Sequence, residues 1–231
     1  MDYATWEPVY ERILTDFGFD RATDERARDR LADLLGGRPT FDTARLDFTG
    51  QTVAIAGAGP NLEAESDTAV AADAVVAAST AVDRLADAGV AVDCMVTDLD
   101  KNPETVAELT AAGTPVAVHA HGDNGSMLEA HVPSFDASSV IPTTQAAPTD
   151  TVYNFGGFTD GDRAAFLADQ QGASELRFVG WDFDDPTVDP MKHRKLVWAE
   201  RLLLWLERRR EDHFAVLDGR RGAIDDSPLP D

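Results

Sequence analysis

Residues 92–104, VDCMVTDLDKNPE, contain a strand-to-helix unit from which the fold can be worked out in both directions. The run Val92–Thr97 has the length and apolar character of a buried strand, and Asp98 and Asp100 follow it directly. Asn102-Pro103-Glu104 predicts a helix start, because Asn caps a helix, Pro fits its first turn and Glu faces the positive end of its dipole. The stretch therefore predicts a buried strand that brings two carboxylates to the edge of a sheet.

The same alternation of short apolar runs and helical stretches extends from residue 51 to residue 210. The other predicted strands are Thr52–Ala56, Ala74–Ala78, Pro115–Ala120, Thr151–Phe155 and Leu176–Gly180. The predicted helices are Asn61–Ala69, Ala81–Ala88, Pro103–Ala112, Gly125–His131, Asp160–Gln170 and Lys192–Arg210. This alternation favours an α/β fold, with a mostly parallel, Rossmann-like sheet and helices on both faces. Ligands of such sheets bind beyond the carboxyl ends of the strands.

The chain divides into three predicted regions. Residues 1–50 form an N-terminal helical region, because apolar residues recur at helical spacing from Trp6 to Phe17 and again as far as Leu35. Residues 51–217 form the α/β catalytic domain. Residues 218–231 are polar and contain proline, which predicts a loose C-terminal tail.

The protein is strongly acidic, with a formal net charge of -22 from 42 acidic and 20 basic residues. Such a surface repels phosphate backbones and anionic membranes, which argues against nucleic acid or a membrane as a partner. The acids are spread along the whole chain. That distribution favours a solvated surface suited to high salt, as in halophiles, over a site for cations or basic partners. A metal ion would reconcile this charge with any bound phosphate.

Cys94 is the only cysteine, so an intramolecular disulfide is excluded. Its apolar neighbours favour a buried, inert thiol over a nucleophile. No apolar run is long enough to span a bilayer and the N-terminus lacks a signal-peptide pattern, which predicts a cytoplasmic protein. The sequence is compatible with a homo-oligomer.

The first predicted strand runs into GAGPNL at residues 57–62. Gly57 and Gly59 allow the backbone to approach a ligand closely, and Asn61 opens a predicted helix whose free N–H groups suit phosphate. A dinucleotide fingerprint fits badly, because Leu62 occupies its third glycine position and Ser79-Thr80 supplies no acid for a ribose. A nucleotide-binding turn of another kind and a purely structural turn both remain as interpretations.

Asp98 and Asp100 are the strongest candidates for chemistry. In an extended chain, alternate residues point the same way at a spacing of about 6–7 Å, so both carboxylates would face one spot. Hard oxygen donors suit Mg²⁺, which shares its ligands with water and substrate phosphates. The competing interpretation is a turn followed by a helix cap, where Asp is also common.

The fourth predicted strand ends in HAHGDN at residues 119–124, where His119, His121 and Asp123 share the same alternation. Three interpretations are open. The side chains bind a transition metal, they position phosphate or substrate by hydrogen bonds, or they are structural and bonded to the backbone.

The segment NFGGFTDGDR at residues 154–163 combines a flexible loop with apolar faces. Phe155 and Phe158, around Gly156 and next to Asn154, would either sandwich a flat heterocycle or fill the core. Arg163 is either a phosphate contact or a surface charge.

The last predicted strand leads into GWDF at residues 180–183, where Asp182 is placed to contact a substrate. Lys192 and Lys195 follow at the start of the final helix, where cations oppose the helix dipole. In a chain this acidic, they indicate either a phosphate nearby or ordinary solvated lysines.

These motifs, in this order, resemble the archaeal 6-hydroxymethyl-7,8-dihydropterin pyrophosphokinases over nearly the whole chain. The family is distantly similar in fold to thiamine pyrophosphokinase, whose catalytic loop also carries closely spaced Asp residues after a strand. The resemblance implies ATP as diphosphate donor, a pterin alcohol as acceptor, and a step in folate or methanopterin biosynthesis.

The resemblance also implies roles for the candidate residues. Asp98 and Asp100 would hold Mg²⁺, and Asp123 would bind a second metal or orient the hydroxyl group. The candidates for nucleotide or phosphate binding are Gly57, Gly59, Asn61, His119, His121, Arg163, Lys192 and Lys195. The candidates for pterin binding are Asn154, Phe155, Gly156, Phe158 and Asp182.

Two other functions compete with this interpretation. One is a nucleotide-sugar glycosyltransferase of the motility-accessory type, since a Gly-x-Gly-Pro turn and an Asp-x-Asp pair occur there as well. The other is a non-catalytic nucleotide-binding module, which would bind ATP with Mg²⁺ but release no AMP.

Overall fold

The computed structural model describes residues 1–230. Its centre is a six-stranded sheet of order β5-β4-β3-β2-β1-β6, in which every pairing between strands is parallel. The strands are β1 (Thr52–Ala56), β2 (Ala74–Ala78), β3 (Cys94–Thr97), β4 (Val116–Ala120), β5 (Val140–Thr144) and β6 (Glu175–Val179). The predicted α/β class and parallel sheet are therefore confirmed.

Eight α-helices within the described residues cover the two faces of the sheet. They are α1 (Tyr3–Phe17), α2 (Arg21–Leu35), α3 (Ser66–Val70), α4 (Ala81–Asp87), α5 (Pro103–Ala111), α6 (Gly125–His131), α7 (Asp160–Gln170) and α8 (Pro190–Arg210). Helices α1, α7 and α8 pack on one face, and α2 to α6 pack on the other. Successive residues of a strand point to opposite faces of the sheet. In β1, Val53 and Ile55 face α1, α7 and α8, whereas Ala54 and Ala56 face α2 to α6.

One predicted strand was wrong. The structure places β5 at Val140–Thr144, and the segment predicted as a strand, Thr151–Phe155, contributes only one bridge, between Thr143 and Tyr153. The true strand contains Pro142, which lacks an N–H group and weakens the strand pattern in the sequence. Because β5 is the edge strand of the sheet, the fold tolerates this proline.

The connection after β1 also differs from the prediction. A continuous helix Asn61–Ala69 was expected, but the chain forms a 3₁₀ turn at Glu63–Glu65 and then the short helix α3. The Asn61 amide caps no helix and donates instead to Glu65 Oε1 at 2.7 Å and to the Trp181 carbonyl at 3.2 Å. The turn after β1 is therefore tied to the turn after β6.

The N-terminal helical region is fastened to the α/β domain by a buried carboxylate. Asp24 of α2 is only 3% exposed and accepts hydrogen bonds from the Tyr10 hydroxyl at 2.7 Å and the Gln145 side chain at 2.8 Å. It also accepts from the Gly122 N–H group at 2.7 Å. Helices α1 and α2 are thereby joined to the loops that follow β4 and β5.

The segment predicted to be a loose tail packs against α8. Arg220 pairs with Glu200 of that helix, and Arg201 pairs with Asp225 at 3.1 Å. Leu229 is buried at 8% exposure. Paired charges and one buried side chain hold this polar stretch in place, which its composition did not indicate.

None of the helices within residues 1–230 combines the length and the apolar character that crossing a membrane requires.

Candidate active site

A cleft of about 980 Å³ opens beyond the carboxyl ends of the strands. It is lined by the turns after β1, β2, β3, β4 and β6, by the first turns of α7 and α8, and by the linker between α1 and α2. Parallel sheets bind ligands at this edge, because every strand delivers its following loop to the same side. Of the predicted site residues, the cleft contains Gly57, Gly59, Asp98, Asp100, His121, Asp123, Phe158, Arg163, Asp182, Lys192 and Lys195.

A tight turn brings Asp98 and Asp100 together, whereas strand alternation was expected to do so. Strand β3 ends at Thr97, and Leu99 has a φ of 68°, a left-handed conformation that is rare for a residue with a side chain. The turn is held by hydrogen bonds from the Leu99 N–H group to Thr97 Oγ1 at 3.0 Å and from the Asp100 N–H group to Asp98 Oδ1 at 3.2 Å. Such strain is concentrated at functional sites.

His121 lies between two carboxylates. Its Nε2 atom is 3.3 Å from Asp98 Oδ2, and its Nδ1 atom is 2.7 Å from Asp123 Oδ1. Burial alone would lower the pKa of His121, but the bonds to Asp123 and Asp98 outweigh it and raise the pKa above its usual value. Burial likewise opposes ionisation of Asp98, and its bond with His121 still lowers its pKa. His121 therefore keeps Asp98 ionised and oriented.

Asp160, at the start of α7, brings a third carboxylate to the same place. Burial, and next the negative charge of Asp98, raise its pKa to about 7. Burial and the charge of Asp98 also raise the pKa of Asp100. The sequence interpretation missed this role, because it named Asp160 only as the first residue of a predicted helix.

Arg163 partly compensates these charges and is buried at 6% exposure. Its guanidinium donates to Asp160 Oδ1 at 3.0 Å and to Gln145 Oε1 at 3.1 Å. Arg163 is therefore a fixed cation that lines the cleft and not a free surface charge. Gln145 was not predicted, because it comes from the loop after the strand that the sequence interpretation misplaced.

This set of side chains fits a divalent cation. Asp98, Asp100 and Asp160 repel one another, as the raised pKa values of the last two show, and a cation bound near them would relieve that repulsion. Within residues 1–230, no group of three His, Cys, Asp or Glu side chains is arranged to hold a metal ion by itself. Mg²⁺ needs only one or two protein carboxylates, since water and phosphate oxygens complete its shell.

The glycine turn after β1 is shaped by close packing against the turn after β6. The Gly59 N–H group donates to the Gly180 carbonyl at 2.7 Å. A Cβ atom would lie 2.7 Å from that carbonyl oxygen at Gly57 and 2.5 Å from it at Gly59. Both glycines are therefore required for packing, and both line the cleft.

His119 lies outside the cleft lining, although it was predicted to neutralise phosphate. It is 2% exposed, and its Nδ1 atom is 3.0 Å from Thr143 Oγ1. Burial has the largest effect on His119 and the positive charge of Arg163 the second largest. Together they lower the pKa of His119 well below its usual value, so the ring is neutral. It lines a small cavity together with Arg163. His119 is therefore a neutral, buried ring that adds no charge to the cleft.

The pterin-binding candidates separate in the structure. Phe158 and Asp182 line the cleft, but Asn154, Phe155 and Gly156 do not. The Asn154 side chain donates to the carbonyls of Gln145 and Ala146 at 2.9 and 2.7 Å. Asn61, a candidate for nucleotide binding, likewise uses its side-chain amide within the protein, where it donates to Glu65. Direct ligand contact by these four residues stays a prediction.

The cleft also contains residues of the N-terminal helical region, for which no chemistry was predicted. The α1–α2 linker and the first turn of α2 contribute Gly18, Phe19, Asp20, Thr23 and Asp24. Their sequence has no recognisable motif; only their position over the end of β4 reveals them. The fold and the cleft define the class of protein. It is a parallel α/β protein with carboxylates and cations gathered beyond its strand ends, as in proteins that bind phosphorylated ligands.

Comparison with known families gives a more specific assignment. The family described as 6-hydroxymethylpterin diphosphokinase MptE-like matches residues 28–187. The chain belongs to this family, and the matched region includes all the cleft residues from Asp98 to Asp182 named above.

Three curated archaeal relatives extend the match over most of the chain, and each is named 6-hydroxymethyl-7,8-dihydropterin pyrophosphokinase. The protein from Methanothermobacter thermautotrophicus is 37% identical over 225 residues, which cover 90% of this chain and 96% of the relative. The Pyrococcus furiosus protein is 38% identical over 90% of this chain and 95% of its own length. The Methanocaldococcus jannaschii protein is 32% identical over 93% of this chain and 99% of its own length. The family suggested by the motifs is therefore confirmed.

Proposed function

We propose that this protein transfers the diphosphate group of ATP to the hydroxymethyl group of 6-hydroxymethyl-7,8-dihydropterin. The proposal is supported by family membership and by the names of relatives that align over 90% or more of the chain. One structural observation carries it further: Asp98, Asp100, Asp160 and Arg163 converge in one cleft beyond the strand ends. This combination suits a phosphate-rich ligand with a divalent cation.

The reaction exchanges one phosphorus–oxygen bond for another. The hydroxymethyl oxygen forms a bond to the β-phosphorus of ATP, and the bond from that phosphorus to the α-phosphate oxygen breaks. AMP leaves with that oxygen, and the hydroxyl proton is released. Phosphoryl transfer of this kind depends mainly on positioning and on stabilising charge at the phosphate oxygens.

Asp98 and Asp100 would hold Mg²⁺, which supplies positive charge to the phosphate oxygens when it is bound. His121 keeps Asp98 ionised and fixes its orientation through their 3.3 Å contact. Arg163, held by Asp160 and Gln145, presents a fixed cation to the transferred group.

Lys192 and Lys195 line the cleft from the first turns of α8. The helix N-terminus disfavours cations, and an anionic ligand would add to the compensation that the charges of Asp100 and Asp123 supply. Phe158 lines the cleft next to Lys195, whose Nζ atom is 6.0 Å from the ring centroid. These lysines would neutralise phosphate charge while Phe158 offers apolar surface.

The first experiment is chromatographic detection of AMP from ATP, with and without the pterin alcohol and with and without Mg²⁺. We expect AMP only when all three are present. Release of a nucleotide from a sugar nucleotide would support the glycosyltransferase alternative, and ATP binding without AMP release would support the non-catalytic module. The family assignment favours neither alternative.

Variants of the two aspartates test the site itself. We expect Asp98→Asn and Asp100→Asn to lower kcat by about 10²–10³-fold, the loss seen when one charge-stabilising group is removed from an active site. Asp150→Asn is the matched control, because Asp150 is an exposed acid outside the cleft. Near-normal turnover in either active-site variant, with circular dichroism unchanged, would contradict the role assigned to these carboxylates.

A further inference from the structure

Exposed large apolar side chains are concentrated at the mouth of the cleft. Among the described residues, only three large apolar side chains are exposed: Phe19 at 40%, Met191 at 44% and Val70 at 66%. Phe19 and Met191 both line the cleft, whereas Val70 lies elsewhere, on α3. Apolar surface that gathers beside a polar cleft marks a binding surface, because exposing it to water is unfavourable.

The fold holds Phe19 in place on a rigid aromatic layer. Helix α1 ends at Gly18, which has a φ of 71°, and the resulting turn sends the next residue over the cleft. The Phe19 ring stacks on Phe17 with 5.3 Å between centroids and 23° between planes. Phe17 packs in turn on Phe158, at 5.0 Å between centroids. Phe19 is therefore pre-oriented and loses little conformational entropy when it binds a ligand.

Met191 lines the same cleft from the start of helix α8. It lies in the first turn of α8, four residues before Lys195, so the two side chains share one face of that helix. Lys195 lies over the Phe158 ring, which joins this face to the aromatic layer under Phe19. A methionine side chain is flexible and polarisable, and adapts to the face of a ring.

This apolar mouth lies on one side of the paired aspartates, and the glycine turn lies on the other. Thr23 of α2 packs against Gly122 after β4, where a Cβ atom would be 2.2 Å from Thr23 Oγ1. The turn at Gly57 and Gly59 follows β1, and β2 and β3 separate β1 from β4 in the sheet. In an in-line transfer, donor and acceptor approach the reacting phosphorus from opposite sides.

The apolar mouth and the glycine turn differ in their surfaces. The mouth offers the exposed side chains of Phe19 and Met191, whereas residues 57–59 are small and allow a phosphate to approach the backbone. Acidic residues line the cleft on both sides, Asp123 near the mouth and Asp182 after β6, beside the glycine turn. A pterin ring is flat and uncharged and carries N–H donors that carboxylates accept. The apolar side therefore fits the ring of the acceptor, and the glycine side fits the phosphates of the nucleotide.

We propose that Phe19 and Met191 bind the pterin ring between them, so that the N-terminal helical region forms part of the acceptor site. This inference rests on the proposed function. It assigns ring recognition to Phe19, a residue of the α1–α2 linker outside the α/β domain.

The test compares Phe19→Ala and Met191→Ala with Val70→Ala as the matched control for removing an exposed apolar side chain. Stacking of a flat ring on one aromatic side chain contributes about 1–3 kcal/mol, so Phe19→Ala should raise the KM for the pterin about 5- to 150-fold. We expect the KM for ATP to change less than about twofold and the melting temperature to stay constant. Phe19→Tyr, which keeps the ring, should restore the KM.

Calorimetric titration of the unmodified protein and Phe19→Ala with the pterin alone measures binding independently of turnover. If the unmodified protein releases AMP but both proteins bind pterin equally, only the inference about Phe19 fails. If Phe19→Ala raises the KM for ATP instead, the apolar mouth binds the adenine ring and the assignment is reversed. If the unmodified protein neither binds the pterin nor releases AMP, the proposed function fails as well.

Discussion

Replacing Asp24 tests whether one buried carboxylate fastens the N-terminal helices to the α/β domain. Asp24 is 3% exposed and accepts three hydrogen bonds, from Tyr10, Gln145 and the Gly122 backbone, at 2.7, 2.8 and 2.7 Å. In Asp24→Ala, the buried donors of Tyr10 and Gln145 lose their acceptor in a place that water reaches poorly, and the Gly122 N–H group loses its side-chain acceptor. The variant therefore separates the contribution of this contact from that of the surrounding apolar packing.

The expected loss can be estimated from these contacts. A hydrogen bond to a charged group contributes about 1.5–3 kcal/mol, and three bonds that share one acceptor are not additive. We therefore expect Asp24→Ala to lower the free energy of unfolding by about 3–5 kcal/mol. For a chain of this length, that corresponds to a fall in melting temperature of about 10 °C. Tyr10→Phe removes one bond and should cost about 1.5 kcal/mol.

The assay is thermal and urea unfolding of both variants, followed by the KM for the pterin in the folded protein. Tyr153→Phe is the control, because the Tyr153 hydroxyl makes no hydrogen bond within the described residues. Loosening the α1–α2 linker should also raise the KM for the pterin, since Phe19 lies in that linker. An Asp24→Ala protein within about 0.5 kcal/mol of the original would refute the idea that this carboxylate joins the two regions.

Three further outcomes follow from individual contacts. Gly59→Ala should destabilise the protein measurably, because its Cβ would lie 2.5 Å from the Gly180 carbonyl oxygen, whereas Gly125→Ala has open space and should be neutral in the same unfolding assay. Burial raises the pKa of Cys94 to about 12, so its thiol stays protonated at pH 8 and should react with a thiol reagent only after denaturation; rapid reaction in the native state would contradict this. Arg163→Lys keeps the positive charge, but a lysine ammonium group cannot contact both Asp160 and Gln145 as the guanidinium group does. We therefore expect kcat/KM to fall about tenfold at similar stability. An unchanged kcat/KM would show that the two-sided geometry of the guanidinium group is unimportant.

Much of the fold could be predicted because its signals are local. Strand β3 and the helix that begins at Pro103 lie next to each other in sequence, and apolar period and capping chemistry determine both. The prediction of strand β5 was wrong because it also relied on local signals. Pro142 disturbs the local strand pattern, and the proline is acceptable only because β5 lies at the edge of the sheet.

The candidate site shows the same division. Asp98, Asp100, His121 and Asp123 were predicted because each follows an apolar strand, and the cleft does contain them. Phe155 belongs to the segment wrongly predicted as a strand and lies outside the cleft, but Phe158 and Arg163, which follow that segment, line it. His119, in the correctly predicted strand β4, lies outside the cleft lining, so the position of a strand end does not by itself decide which side chains reach the site.

Neighbouring residues and the order of the motifs were enough to predict the parallel α/β class, the family, and the two aspartates at the end of β3. The presence of Asp160 and Phe19 in the cleft could not be predicted in this way. Their positions depend on the packing of α7 and of the α1–α2 linker across the end of the sheet. Contacts between residues far apart in the chain leave no periodic pattern in the sequence, and the folded arrangement alone reveals them.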